Sequence, residues 1–268
     1  MPRSPRRLRW ELGCPASDGL LPRGLEPNSL HEIKGEPSAV HGASAADWMT
    51  GIGFAARLAV RRVDALAAAQ RTNAQPSIAH STAGPWVLWC WPRPLAGEFG
   101  LPSAAGFLRL GLDPSRLIIV ETARASEALN AIEEGLRAQS LAAVIGVLDE
   151  AELTPARRLS LAAGETATPC LLVTHPASEP AGATATRWRV KRDPSARHPF
   201  DPRAPGAVRF SVALERCKSR PESAAQPPML LEWSDETRRF DLASVVADLP
   251  AQTRGADGSA FPAAVRAY

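Results

Sequence analysis

Between Pro85 and Arg189, apolar runs alternate with amphipathic stretches of helix length, and this alternation constrains the chain more than any other feature. The runs are WVLWCW (86–91), RLIIVET (116–122), LAAVIGVLD (141–149) and PCLLVTH (169–175). Between them come a glycine-bearing linker with the helix pattern AAGFLRLGLD, then ASEALNAIEEGLRAQ, then TPARRLSLAAGET. Strands alternating with helices of about 8 to 15 residues predict an α/β fold, a mostly parallel sheet covered by helices. The runs 86–91 and 141–148 are almost unbroken in apolarity, which predicts strands buried on both faces.

The flanks extend this pattern. SLHEIKG (29–35) reads as a short strand entering a turn. A helix is predicted from Ala43 to Ala69, because Trp48, Ile52, Ala55, Leu58, Ala59, Val63 and Leu66 recur at three- and four-residue steps. Residues 71–84 read as a polar loop. ATRWRVKRD (185–193) reads as a strand, and RHPFDPRAPG (197–206) as a turn-rich connection. VRFSVALERCKSR and MLLEWS read as an antiparallel hairpin, and DLASVVADL as a weak helix in the tail. Three segments follow: a basic, Pro/Gly-rich stretch with little regular structure at 1–29, the α/β domain at 30–234, and a flexible or partner-binding tail at 235–268.

A chain of 268 residues with 45% hydrophobic content suffices for one large α/β domain with extensions. The net charge of +3, from 31 basic and 28 acidic residues, argues neither for nor against nucleic acid. Arg3, Arg6, Arg7 and Arg9 cluster at the start, interrupted by prolines, as a solvated tail or a phosphate-binding arm. Cys14, Cys90, Cys170 and Cys217 lack metal-ligand spacing, and Cys90 and Cys170 are expected as buried thiols. No apolar run reaches the length of a membrane span and no secretory signal is read, so a cytoplasmic, reduced protein is expected. Trp188 and Trp233 are expected in the core, and at least one of Trp86, Trp89 and Trp91 against the helices.

The strand, turn and helix around Gly35–Ser44 have the topology of a phosphate-binding loop. In such a loop, glycine backbone N–H groups cradle phosphates, a lysine neutralises them and a hydroxyl holds magnesium. Here Gly35 and Gly42 are present, but Ala43 stands where the lysine belongs. Glu36 adds negative charge and Pro37 removes an N–H donor. Ser44 is either the hydroxyl or simply a first-turn residue. Loss of the cation costs several kcal/mol of phosphate stabilisation. Three further residues occupy nucleotide-site positions. Glu98 could orient water or be a surface glutamate. Asp149 could reach magnesium or simply open a turn. His175 could sense a terminal phosphate or be a structural hydrogen-bonder. The expectation is a degenerate nucleotide site, no enzyme activity, no metal, and no tight binding of ATP or magnesium.

Two sets of basic residues are candidates for DNA binding. Arg157 and Arg158 open the helix after the Asp149 strand, as phosphate contacts or as solvated helix arginines. Arg187, Arg189, Lys191 and Arg192 interleave with Trp188 and Val190, giving a strand with a cationic face. An edge strand protected by charge is the equal alternative. The short stretch between His175 and Ala185 leaves no room for extended DNA-binding loops, which argues against strand exchange.

The order of LHEI (30–33), GFAARLA (53–59), GPWVLWC (84–90), GLDPSRLIIVETARASEALNAIEEGLR (111–137), LAAVIGVL (141–148), LTPARRLSLAA (153–163), PCLLVTH (169–175), ATRWRV (185–190) and LLEW (230–233) resembles the ImuA family. These are RecA-related proteins of bacterial DNA-damage-inducible mutagenesis, sometimes labelled SulA-like. The resemblance implies a RecA-like core and an accessory role in SOS-induced, error-prone translesion synthesis. It implies an ImuB-like Y-family protein as partner, an error-prone DnaE-type polymerase reached through it, and RecA and single-stranded DNA nearby. It also implies association with the nucleoid on DNA damage. Two alternatives stand beside it: a DNA-dependent ATPase with an atypical phosphate loop, and a SulA-like cell-division inhibitor.

Overall fold

The computed structural model describes residues 8–19, 21, 24–37, 42–73, 86–100, 102–201 and 203–243. Arg3, Arg6 and Arg7, positions 38–41 of the Gly35–Ser44 loop, and the tail beyond 243 lie outside the described residues.

In chain order the elements are α1 (Pro15–Asp18), β1 (Leu30–Gly35), α2 (Ala45–Asn73), β2 (Trp86–Pro92), α3 (Arg93–Phe99) and α4 (Ala104–Leu110). There follow β3 (Leu117–Thr122), α5 (Ala125–Arg137), β4 (Leu141–Leu148), α6 (Leu153–Thr166) and β5 (Cys170–Thr174). The last are β6 (Thr186–Asp193), β7 (Arg209–Cys217), β8 (Met229–Ser234) and β9 (Arg239–Leu242). The described strands form one nine-stranded sheet in the order β3-β2-β4-β5-β1-β6-β7-β8-β9. Pairings from β3 to β6 are parallel; β6-β7, β7-β8 and β8-β9 are antiparallel. The mixed α/β class and the antiparallel C-terminal strands read from the sequence are thus observed.

The unbroken apolarity of β4 has a direct cause. β4 lies between β2 and β5, with α2 on one face and α5 on the other, so all eight of its residues are buried. Ala143, Ile145 and Val147 face the α2 side, while Val144 and Leu148 face α5 and α6. The apolar stripe of α2 is likewise as expected: Trp48, Ile52, Ala55, Leu58, Ala59 and Leu66 are buried. Trp188, Trp233, Trp89 and Trp91 are core residues, whereas Trp86 is 38% exposed and lies under the Arg116 guanidinium. All four cysteines are buried free thiols. Burial pushes the Cys90 thiol up to about 12 and raises that of Cys170 as well, so both are inert at neutral pH.

Three local readings are corrected and one, the sparse regular structure before β1, is observed with more packing than expected. The linker after β2 contains α3, which Pro94 starts without losing a hydrogen bond and which ends at Gly100 with φ 76°. The segment before β1 has only one helical turn, but Trp10, Leu12, Leu21 and Leu25 are buried in the α2-side core. Prolines and glycines deny it regular structure without denying it packing. The sheet continues past Asp235 into β9, whose Phe240 packs on Trp233 and Phe54. Finally, β6 is no edge strand, because it lies between β1 and β7.

Candidate functional site

The carboxyl ends of the parallel strands are where open α/β sheets place ligands, and the turn from β1 into α2 lies there. Ser44 immediately precedes α2. Its Oγ donates to Asp47 Oδ2 at 2.8 Å and its N–H donates to the same oxygen at 2.9 Å. The Asp47 N–H donates back to Ser44 Oγ at 3.4 Å. This reciprocal pair is a capping box with aspartate as its acid. A helix N-terminus attracts anions through unpaired N–H groups and its dipole. Here the protein brings its own carboxylate to that position. Gly35 serves the same junction: a Cβ there would collide with the Asp47 carbonyl oxygen, so its lack of a side chain lets α2 cross close over the strand. Gly42, with φ +70°, takes the left-handed turn ahead of the helix.

On the opposite face of β1, Glu32 and Lys34 are wholly buried. Glu32 accepts from Thr174 Oγ1 at 3.0 Å, from the Ala181 N–H at 3.0 Å and from Arg187 Nε at 2.8 Å. Lys34 Nζ donates to the Ser178 carbonyl at 2.6 Å and to its Oγ at 2.8 Å, and stands 3.9 Å from Glu32. Desolvation lowers the Lys34 pKa, opposed by the Glu32 charge. Arg189 donates to Glu215 at 2.8 Å and to the carbonyls of Pro176 and Gly35 at 2.9 and 3.2 Å. Lys34, Arg187 and Arg189 thus pin the 175–184 loop over the end of β1. Sequence reasoning passed over Glu32 and Lys34. Their signal was two charges flanking Ile33 at alternate positions of one short strand.

Asp149 and His175 meet at the ends of β4 and β5, where the His175 N–H donates to the Asp149 carbonyl at 3.0 Å. The Asp149 side chain is exposed. The His175 ring packs edge-on against Trp48 of α2, centroids 5.4 Å apart, and its Nδ1 accepts from the Ala177 N–H at 3.1 Å. Gly35, Ser44, Asp149 and His175 therefore lie together at the carboxyl ends of the neighbouring strands β4, β5 and β1. Glu98 does not join them directly: it is exposed on α3, after β2, and β4 and β5 separate β2 from β1. Among the described residues, no group of three or more His, Cys, Asp or Glu side chains is placed to hold a metal ion.

The basic candidates separate into two kinds. Arg187 and Arg189 are 15% and 20% exposed and carry the internal partners given above. Lys191, Arg192 and Arg157 are exposed. Arg158, also exposed, pairs with Glu133 of α5, which Arg137 meets from its other side at 2.6 Å. The cationic face of β6 is thus turned inward at its start and outward only at its end.

The fold defines a mixed α/β protein with a mostly parallel sheet, whose helix α2 begins with a Ser44–Asp47 side-chain cap. No protein-family model matches the chain. It is similar to the proteins named Protein ImuA of two Caulobacter vibrioides strains, NA1000 / CB15N and ATCC 19089 / CB 15. Each is 34% identical over 125 residues, which is 43% of this chain and 51% of the relative. The chain spans about half the length of the curated relatives it matches. No helix among the described residues is long and apolar enough to cross a membrane.

Proposed function

We propose that the chain is a non-catalytic accessory factor of DNA-damage-induced mutagenesis. In this reading it bridges an ImuB-like Y-family protein and an error-prone DnaE-type polymerase at damaged DNA. The observation that carries it is the Ser44–Asp47 cap. A carboxylate occupies the helix terminus that would receive phosphates, in a turn where Ala43 replaces lysine. A triphosphate meeting that carboxylate would be repelled rather than cradled. The similarity to Protein ImuA supplies the cellular context. SOS induction, translesion synthesis and nucleoid association on damage belong to the same proposal.

The test is co-purification of the full chain with an ImuB-like partner, alongside calorimetry with Mg-ATP in the presence and absence of single-stranded DNA. Capture of the partner, with no ATP binding up to millimolar concentration, is expected. Failure of capture in both pull-down and two-hybrid formats sinks the bridging role. A DNA-dependent ATPase is the second reading, favoured by the placement of Asp149 and His175 at the same strand ends as Gly35. Micromolar ATP binding, with turnover lost in Asp149→Ala, would put it first.

A further inference from the structure

The connection from β6 to β7 leaves the sheet at the carboxyl ends of the parallel strands, the end that holds Gly35 and His175. β6 runs on to Asp193, past Val190, the partner of Gly35. Beyond the ladder pair of Asp193 with Arg209 the two arms stay joined. The Ala196 N–H donates to the Ala207 carbonyl at 2.9 Å, the Gly206 N–H donates to the Ala196 carbonyl at 3.0 Å, and Arg197 bridges Pro205. A Cβ on Gly206 would collide with the Ala196 carbonyl oxygen, so the arms approach as only glycine permits. The tip is fixed as well. His198 Nδ1 accepts from the N–H groups of Phe200 and Asp201 at 3.3 and 3.0 Å, and the Arg203 N–H donates to Asp201 Oδ1 at 2.9 Å. The turn-rich connection is thus a folded projection.

Phe200 stands on that tip. It is 92% exposed, more than any other large apolar side chain among the described residues. Its one ring neighbour is His198, with centroids 6.1 Å apart and planes inclined at 69°. Four cations share the projection: Lys191 and Arg192 on its stem, Arg197 at its neck and Arg203 on its tip. All four are exposed, and none meets a carboxylate among the described residues. They differ in this from Arg187 and Arg189 of the same strand, whose charges are met by Glu32 and Glu215. Two acids, Asp193 and Asp201, lie on the projection against them.

The surroundings of the ring decide between kinds of partner. An aromatic anchor for a protein pocket sits among apolar contacts that exclude water. Phe200 is flanked instead by Pro199, Asp201, His198 and the arginines, and the exposed Val208 lies back on the stem. A base needs only one open ring face, and the phosphates on either side of it need unpaired cations. Bases inside a duplex are already stacked and cannot meet a protruding ring. We propose that the β6–β7 projection binds single-stranded DNA, with Phe200 stacked on a base and Lys191, Arg192, Arg197 and Arg203 on the neighbouring phosphates. The inference deepens the reading above, in which the chain acts at damaged DNA, and needs none of its bridging contacts.

The test uses the purified full chain and a fluorescein-labelled oligothymidylate of about 15 nucleotides, followed by anisotropy over a salt series. Saturable binding is expected. It should be about tenfold weaker in Phe200→Ala and in Phe200→Leu, which keeps apolar bulk without a ring, and retained in Phe200→Trp. The salt slope should hold in the Phe200 variants and flatten by about 0.7 for each phosphate released in the Arg197→Ala, Arg203→Ala double variant. These side chains are exposed, so the thermal melt should stay in place. An abasic strand of the same length keeps the phosphates without the bases, and should bind wild type and Phe200→Ala alike. No saturable binding at low salt, equal affinity in wild type and Phe200→Ala, or an equal Phe200→Ala loss on the abasic strand would overturn the proposal. Pull-down of the ImuB-like partner by Phe200→Ala separates the two claims. Undiminished capture beside weakened oligonucleotide binding supports both. Lost capture beside unchanged oligonucleotide binding gives Phe200 to a protein pocket and removes the stacking role.

Discussion

Arg187 donates from Nε to Glu32 Oε2 at 2.8 Å, joining β6 to β1 where the parallel half of the sheet meets the antiparallel half. The Glu32 side chain is fully buried, and Arg187 also donates to the Ala181 carbonyl at 3.0 Å. Removing one partner of a buried ion pair leaves the other charge uncompensated. Arg187→Ala should therefore cost about 3–5 kcal/mol, read as a lower urea midpoint. Arg187→Lys should recover only part of this, because an ammonium cannot reproduce the fork that spans Glu32 and Ala181. A loss below about 1 kcal/mol would mean that Lys34 alone balances Glu32.

The same junction makes Gly35 a packing residue. Gly35→Ala drives a methyl into the Asp47 carbonyl oxygen, a backbone atom that no rotamer change can move aside. Either α2 lifts from β1 or the strand end shifts, at a cost of about 3 kcal/mol or more. Thermal unfolding compared with Gly42→Ala distinguishes the two glycines. Position 42 has open space around its Cβ and suffers only from its positive φ, so it should lose about 1 kcal/mol.

His31 sets a pH window for stability. It is buried and neutral, its Nε2–H donating to the Glu26 carbonyl at 2.8 Å. Its Nδ1 accepts at 2.8 Å from the Thr186 hydroxyl, whose oxygen in turn accepts from the Trp188 indole at 2.9 Å. Burial dominates and pushes its pKa down from 6.5 to about 4, against the opposing pull of Glu26. Between those values the unfolded chain binds a proton that the folded chain refuses, so stability rises with pH across the window. The contribution is fully present above pH 6.5 and is lost as pH falls toward 4, on the order of 3 kcal/mol in total. Urea unfolding between these limits should show that slope, flattened in His31→Gln. An equal slope in the variant would assign it to other groups.

The fold was legible where burial is symmetric. An apolar run such as LAAVIGVL has one reading because both of its faces are covered. The partner-dependent features were not legible. Nothing in Arg187 or Arg189 as letters distinguishes a free cation from one paired with Glu32 or Glu215, since those partners lie 155 and 26 residues away. The Ser44–Asp47 cap had a local signature, a serine followed three residues later by an acid ahead of an apolar run, but the same letters also read as a phosphate loop without its lysine. The cavity lined by Trp89 of β2, Gly53 of α2 and Asp235 after β8 stayed hidden because these residues, far apart in sequence, come together only in the folded chain.

The inward turn of the β6 arginines makes a claim about DNA. Phosphate binding needs charge that reaches solvent, and on β6 that charge lies at Lys191 and Arg192. Affinity for an oligothymidylate, measured by anisotropy over a salt series, should fall in the Lys191→Ala, Arg192→Ala double variant. Its slope of log K against log salt should flatten by about 0.7 for each phosphate that is no longer neutralised. Arg157→Ala, on α6, tests whether a second patch contributes. Conservative Arg189→Lys keeps the charge beside Glu215 while shortening its reach to the Pro176 carbonyl, so it should lower stability and leave the salt slope unchanged. If instead the slope flattens in Arg189→Lys and holds in the double variant, the loop over β1 must open to admit the strand. The buried network of Glu32, Lys34 and Arg187 would then be a latch rather than a fixed support.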